Sequence, residues 1–105
     1  DFFFKAPEVY DQEVVKKGWK EDSPALLLEL RSLLEKTVDF SATGTESIIK
    51  AWIEENGYNT GAIMNAFRLV IVGASRGPHM FDIISWIGKE ETLKRIDKGV
   101  TLLSK

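Results

Sequence analysis

Apolar residues recur along this chain at helical spacing. Ile63, Met64, Phe67, Val70 and Ile71 fall at i, i+1, i+4, i+7 and i+8, and Leu26, Leu27, Leu30, Leu33 and Leu34 form a similar stripe. So do Ile48, Ile49, Trp52 and Ile53, and then Met80, Phe81, Ile83, Ile84 and Ile87. Such spacing places apolar side chains on one face of an α-helix. No segment alternates apolar and polar residues for more than a few positions, and no internal repeat is present. The pattern predicts an all-α fold, a compact bundle of about six helices joined by short loops.

Punctuation residues set the expected boundaries. Pro7 and Asp11 introduce a short helix that ends near Trp19. Ser23 as N-cap, with Pro24 in the first helical position, starts a second. Thr43 and Glu46 stand at capping-box spacing for a third, which Gly57 in "ENGYN" closes. A fourth spans 60–72, and 73–77 forms a turn. Pro78 begins a fifth that Gly88 breaks, and "KEETLKRIDKGVTLL" makes the sixth. In this last helix Glu90 and Glu91 lie near the start and Lys94, Arg95 and Lys98 toward the end, the order the helix dipole favours. Trp19, Trp52 and Trp86 all sit beside aliphatic residues and are expected in the core.

The stretch "VIVGASRGP", 70–78, has the look of a nucleotide-binding turn, but its surroundings exclude one. A dinucleotide fold needs a strand before the glycines and further strands after the helix. Here the apolar run belongs to a helical stripe, Pro78 and His79 occupy the place of a third glycine, and only about one helical hairpin follows. A Tyr-x-x-x-Lys pair is missing as well, since neither Tyr10 nor Tyr58 has lysine four residues on.

With 105 residues and 44% hydrophobic content, the chain suits one packed domain over 1–105. It holds no cysteine and a single histidine, His79, which leaves no thiolate or multi-histidine metal site. No run approaches the ~18 apolar residues that span a bilayer, and Phe2, Phe3 and Phe4 lack the flanks of a signal peptide. A cytoplasmic protein without membrane contact is expected. The opening Asp1 and the three phenylalanines after it suggest a piece from the C-terminal end of something longer.

Charge distribution changes the picture more than the net charge of −2. Between Glu8 and Glu55 there are 11 acidic residues against 6 basic ones, yet from Asn56 to Phe81 there is no acid, while Arg68, Arg76 and His79 are present. An acid-free loop with arginines, small residues and a proline suits an unpaired nucleic-acid strand, because arginine can hydrogen-bond or stack on a base. Burial of the 60–72 helix would also explain the missing acids. Arg68 could likewise extend past an apolar face to pair with a carboxylate such as Asp82. Nothing points to catalysis: His79 has no partners spaced for a triad. The adjacent pairs Glu54/Glu55 and Glu90/Glu91 diverge by about 100° on a helix.

The segments "NAFRLVIVG" and "GPHMFDIISWIGKEETLKRI" resemble the C-terminal anticodon-binding domain of bacterial glutamate–tRNA ligases. The pattern there reads P-L-R-x-A-L-T-G, a loop with G-P or T-P, an apolar helix, G-K-E and a later R-I or R-L. Upstream, "FFF", "YD" and "KKGWKE" are similar too, so the resemblance covers nearly all of the chain. It departs at Ala66 and Phe67, where Pro-Leu is usual, and at Val72, where Thr is usual.

The resemblance implies an all-α cage of the class I aminoacyl-tRNA synthetase anticodon-binding type. In it Arg68, Gly77, Pro78 and Met80 would meet the anticodon loop of the tRNA for glutamate. Arg76 and His79 are added on chemical grounds as phosphate contacts, with Asn65 a weaker candidate. The whole enzyme would attach glutamate to its tRNA with ATP and magnesium. Neither a HIGH-like nor a KMSKS-like signature occurs here, so this piece should bind no cofactor, catalyse nothing alone, and interact with tRNA and the rest of the enzyme, not with DNA. The competing expectation is a helical docking domain, using Phe2 to Phe4 and the leucine-rich helix, with no RNA contact.

Overall fold

Leu27, Leu30 and Leu34, spaced three and four apart, are fully buried along one side of a helix, α1, Ser23–Lys36. Three more helices follow: α2, Ala42–Asn56; α3, Thr60–Val72; and α4, Met80–Leu103. The computed structural model describes residues 10, 13, 15–16, 19–73 and 80–103, and no strand occurs among them. Leucines of α1, isoleucines of α2, most of α3 and the start of α4 close on one core cluster. Helix α4 packs against each of the other three.

Helix α3 is the most buried element of this arrangement. Ile63, Ala66, Phe67, Leu69, Val70, Ile71 and Val72 are all buried, which leaves little room for a carboxylate in its 13 residues. Burial therefore explains much of the acid-free stretch. It does not explain why the one charged residue of the helix, Arg68, stands where it does.

The helix count differs from the six expected. Of the first expected helix, residues 13, 15 and 16 are helical, and the Trp19 amide donates to the Val15 carbonyl at 3.0 Å; the rest lies outside the described residues. The last two expected helices are joined end to end as α4 across a kink at Gly88, which leaves helical geometry at φ 87° and ψ 166°. Gly88 thus breaks the helical path, as its position suggested. The buried Thr92 hydroxyl donates to the Gly88 carbonyl one turn back, at 2.8 Å.

Two caps also move. Helix α1 begins at Ser23 itself, with Asp22 as N-cap, and the Ser23 hydroxyl instead accepts from the Lys20 amide at 2.8 Å. Helix α2 is capped by Ser41, whose hydroxyl accepts from Gly44 N at 3.1 Å, and not by Thr43. Asp39 selects Ser41 by accepting from its amide at 3.1 Å, which fixes the extended backbone an N-cap needs. Gly57 closes α2 as expected, and Asn59 caps α3 by accepting from Ala62 N at 2.9 Å.

The tryptophans divide. Trp19 and Trp52 are half-buried against the core, and Trp52 meets Tyr58 edge to face at 5.3 Å. Trp86 is 52% exposed, against the expectation of core packing. Its neighbours in α4, Ile83, Ile84 and Ile87, already supply the apolar face.

Candidate nucleic-acid interface

The side of α3 left open by the core is narrow. Gly61 and Asn65 are exposed and Met64 is half-buried, and one turn further on Arg68 is the last position not wholly covered before Val72. Burial draws the Arg68 guanidinium below its ordinary pKa, yet an arginine so placed remains a cation. A partly dehydrated cation gains more from an anionic or carbonyl partner than one surrounded by water. Chemically, this is a multi-donor fork at the end of an apolar helix, suited to a base edge or a phosphate.

Helix α3 then stops abruptly. Gly73 adopts φ 78° and its amide donates to the Leu69 carbonyl at 2.8 Å. A left-handed residue here costs glycine nothing, whereas a side chain would resist it. The next described residue is Met80, the first of α4. Its side chain is only 2% exposed and belongs to the core. Met80 therefore anchors the start of α4 from within, a different placement from the apolar surface expected of it. Arg76, Gly77, Pro78 and His79 lie outside the described residues.

Sequence reasoning missed Arg95. Read only as a basic residue that suits the end of a helix dipole, it is 1% exposed. Its Nε donates to Glu91 Oε2 at 2.7 Å, and its Nη1 donates to the Ile71 carbonyl at 2.9 Å. That carbonyl is one of the last four in α3, which find no partner within the helix. The signal was present in the spacing: Gly88, Thr92, Arg95, Ile96 and Gly99 share one face of α4, and all but Gly88 are buried. A charged residue within a stripe of small and apolar ones marks an internal partner.

A separate cleft of about 240 Å³ lies around the beginning of α3, lined by Lys20, Leu26, Tyr58, Asn59, Ile63 and Ala66. It is set toward the opposite end of a helix roughly 18 Å long. Arg68 does not line it. The leucine-rich α1, considered as a docking strip, turns Leu27, Leu30 and Leu34 inward, and only Leu28 stands out at 46% exposure. Phe2 to Phe4 lie outside the described residues. Among those described, no helix is long and apolar enough to cross a membrane.

Among the described residues, four packed helices with one cation at the edge of the most buried of them define a small helical domain. The chain belongs to the anticodon binding domain family, whose model matches residues 1–100. It is 55% identical over 102 residues to a glutamate–tRNA ligase of Phocaeicola vulgatus, covering 97% of this chain and 20% of the relative. Against a glutamate–tRNA ligase of Bacteroides fragilis the identity is 56% over 103 residues, with the same coverage. The crystal structure of a glutamate tRNA ligase from Elizabethkingia meningosepticum, in complex with its amino acid, superposes with a TM-score of 0.92 at 37% identity. That match covers 97% of this chain and 20% of the ligase. The chain thus spans about a fifth of the length of the relatives it matches.

Proposed function

We propose that this chain is the anticodon-recognition module of a glutamate–tRNA ligase, meeting the anticodon loop of the tRNA for glutamate with the C-terminal end of α3 and the residues after it. The observation that carries this reading is Arg68: the one charged residue of a helix otherwise given to the core, half-buried at its last open position. In this reading Arg68 supplies a multi-donor contact to an unstacked base or its phosphate. Gly77 and Pro78 offer backbone and apolar surface, and Arg76 and His79 add phosphate contacts. Met80 anchors the start of α4 from within the core.

The whole protein would activate glutamate with ATP and magnesium in a separate catalytic domain and transfer it to its tRNA in the cytoplasm. This module would contribute the choice of tRNA, because contacts to the correct anticodon lower the energy of the correct complex alone. Titration of the chain, wild type and Arg68→Ala, with an anticodon stem-loop of the glutamate tRNA and with one of unrelated anticodon tests it. Selective binding that the substitution removes supports the reading. Equal affinity of wild type for both stem-loops would sink it.

A further inference from the structure

Helix α4 holds the last turn of α3 at two points. Arg95 donates to the Ile71 carbonyl at 2.9 Å. One turn on, Gly99 lies so near Val70 that a Cβ built on it would stand 2.6 Å from the Val70 Cβ. These contacts fall two and three residues after Arg68, inside the turn that sets the direction of its side chain.

We infer that Arg95 is a positioning residue for RNA recognition: it fixes the C-terminal turn of α3, and through that turn Arg68, and touches no RNA itself. The inference rests on the anticodon-binding reading above. A guanidinium with a wholly buried side chain is costly, and the fold meets that cost with one charged partner and one backbone partner. Packing alone would be served by Met or Leu at this place. What an apolar residue cannot do is occupy the unpaired Ile71 carbonyl and hold it at a fixed distance from α4. Its Nη2 is buried as well, so the whole fork sits inside the protein. A buried ion pair adds little net stability over an apolar side chain of similar size, so what Arg95 contributes is the direction of its two bonds.

The planar fork separates Arg95 from a generic cation. Nε and Nη1 point to two different helices at once, Glu91 one turn back in α4 and Ile71 in α3. Lysine has a single ammonium and cannot span both with the same rigidity. Glu91 is one-third exposed, and its Oε2 steers the guanidinium from one turn back in α4.

The test is a double-mutant cycle on the 105-residue chain, with Arg95→Met, Arg68→Ala and the pair, titrated with the glutamate anticodon stem-loop and with one of unrelated anticodon. Arg95→Met is expected to weaken cognate binding roughly three- to tenfold and unrelated binding by less than about twofold, with the loss largely absent in the Arg68→Ala background. Glu91→Gln, milder for the fold, should shift selectivity the same way by a smaller factor, with an unchanged circular-dichroism spectrum. Losses equal on both stem-loops, or additive with Arg68→Ala, would make Arg95 a packing residue and overturn the inference. If Arg95→Met does not fold, Glu91→Gln decides alone: unchanged selectivity overturns the inference. Wild type without selectivity overturns both this inference and the function on which it rests.

Discussion

Gly99 of α4 lies against Val70 of α3 with no room for a side chain: a methyl group built on Gly99 would overlap Val70 Cγ1 and stand 3.3 Å from the Val70 Cα. Both residues are buried. The two helices meet here nearly backbone to backbone, with Val70 filling the gap. Gly99→Ala must push α4 off α3 and should cost about 1–3 kcal/mol. In a domain of this size each kcal/mol lowers Tm by roughly 4–8 °C, which a thermal melt resolves. An unchanged melting temperature would mean that the helices part without cost.

Gly88 provides the opposite case. Nothing lies within 4 Å of a Cβ built on it, but its φ of 87° is one that L side chains resist. Gly88→Ala should therefore cost about 1–3 kcal/mol through the backbone alone. D-alanine, installed by chemical synthesis, should leave stability near wild type. Equal losses for both enantiomers would place the cause in sterics.

The reassigned cap of α2 is checked by two alanines. Ser41→Ala removes the acceptor for Gly44 N and should cost about 0.5–2 kcal/mol. Thr43→Ala, at an exposed position, should stay within about 0.5 kcal/mol of wild type in urea unfolding. The reverse order would restore Thr43 as the cap.

Acid should loosen the same corner. Hydrogen bonds from Ser41 hold the Asp39 carboxyl below its ordinary pKa. A depressed folded-state pKa gives stability that is fully present above the unfolded value, near 4, and is lost as pH falls through the lowered one. Asp39→Asn cannot titrate, so its stability should fall less than that of wild type between about pH 4 and pH 2. Parallel acid limbs for the two proteins would exclude Asp39 as a source.

Salt distinguishes what Arg68 meets. If the guanidinium reads a base, Arg68→Ala should weaken binding of the glutamate stem-loop by about 1–3 kcal/mol and binding of an unrelated anticodon by less. If it meets a phosphate, the substitution should weaken both alike and reduce the slope of log K against log salt by roughly 0.7. Titrations at three salt concentrations separate the two.

Much of the fold was legible because burial imposes a period. The stripes of α1, α2 and α3 all proved to be core, with Leu27, Ile49 and Phe67 fully buried. Helix ends were less legible, since choosing Ser41 over Thr43 depended on Asp39, whose bond to the Ser41 amide is a matter of backbone geometry. Trp86 misled because an indole beside isoleucines looks like core until those isoleucines are found to fill it. At the candidate site, Arg68 was named from the acid-free stretch together with the family resemblance, and its half-buried place on α3 was not legible there. Arg95 was hidden because Glu91 four residues before it imitates an ordinary surface pair, whereas its second bond is to a residue 24 positions away.

The exposure of Trp86 gives the molecule an optical handle. Of the three indoles, Trp86 is the exposed one, while Trp19 and Trp52 are half-buried. A quencher dissolved in water reaches Trp86 first, so the readily quenched part of the fluorescence reports on the outer side of α4 just before its bend. Anything that settles there, whether nucleic acid or a neighbouring domain, would shield that emission and announce itself without a label.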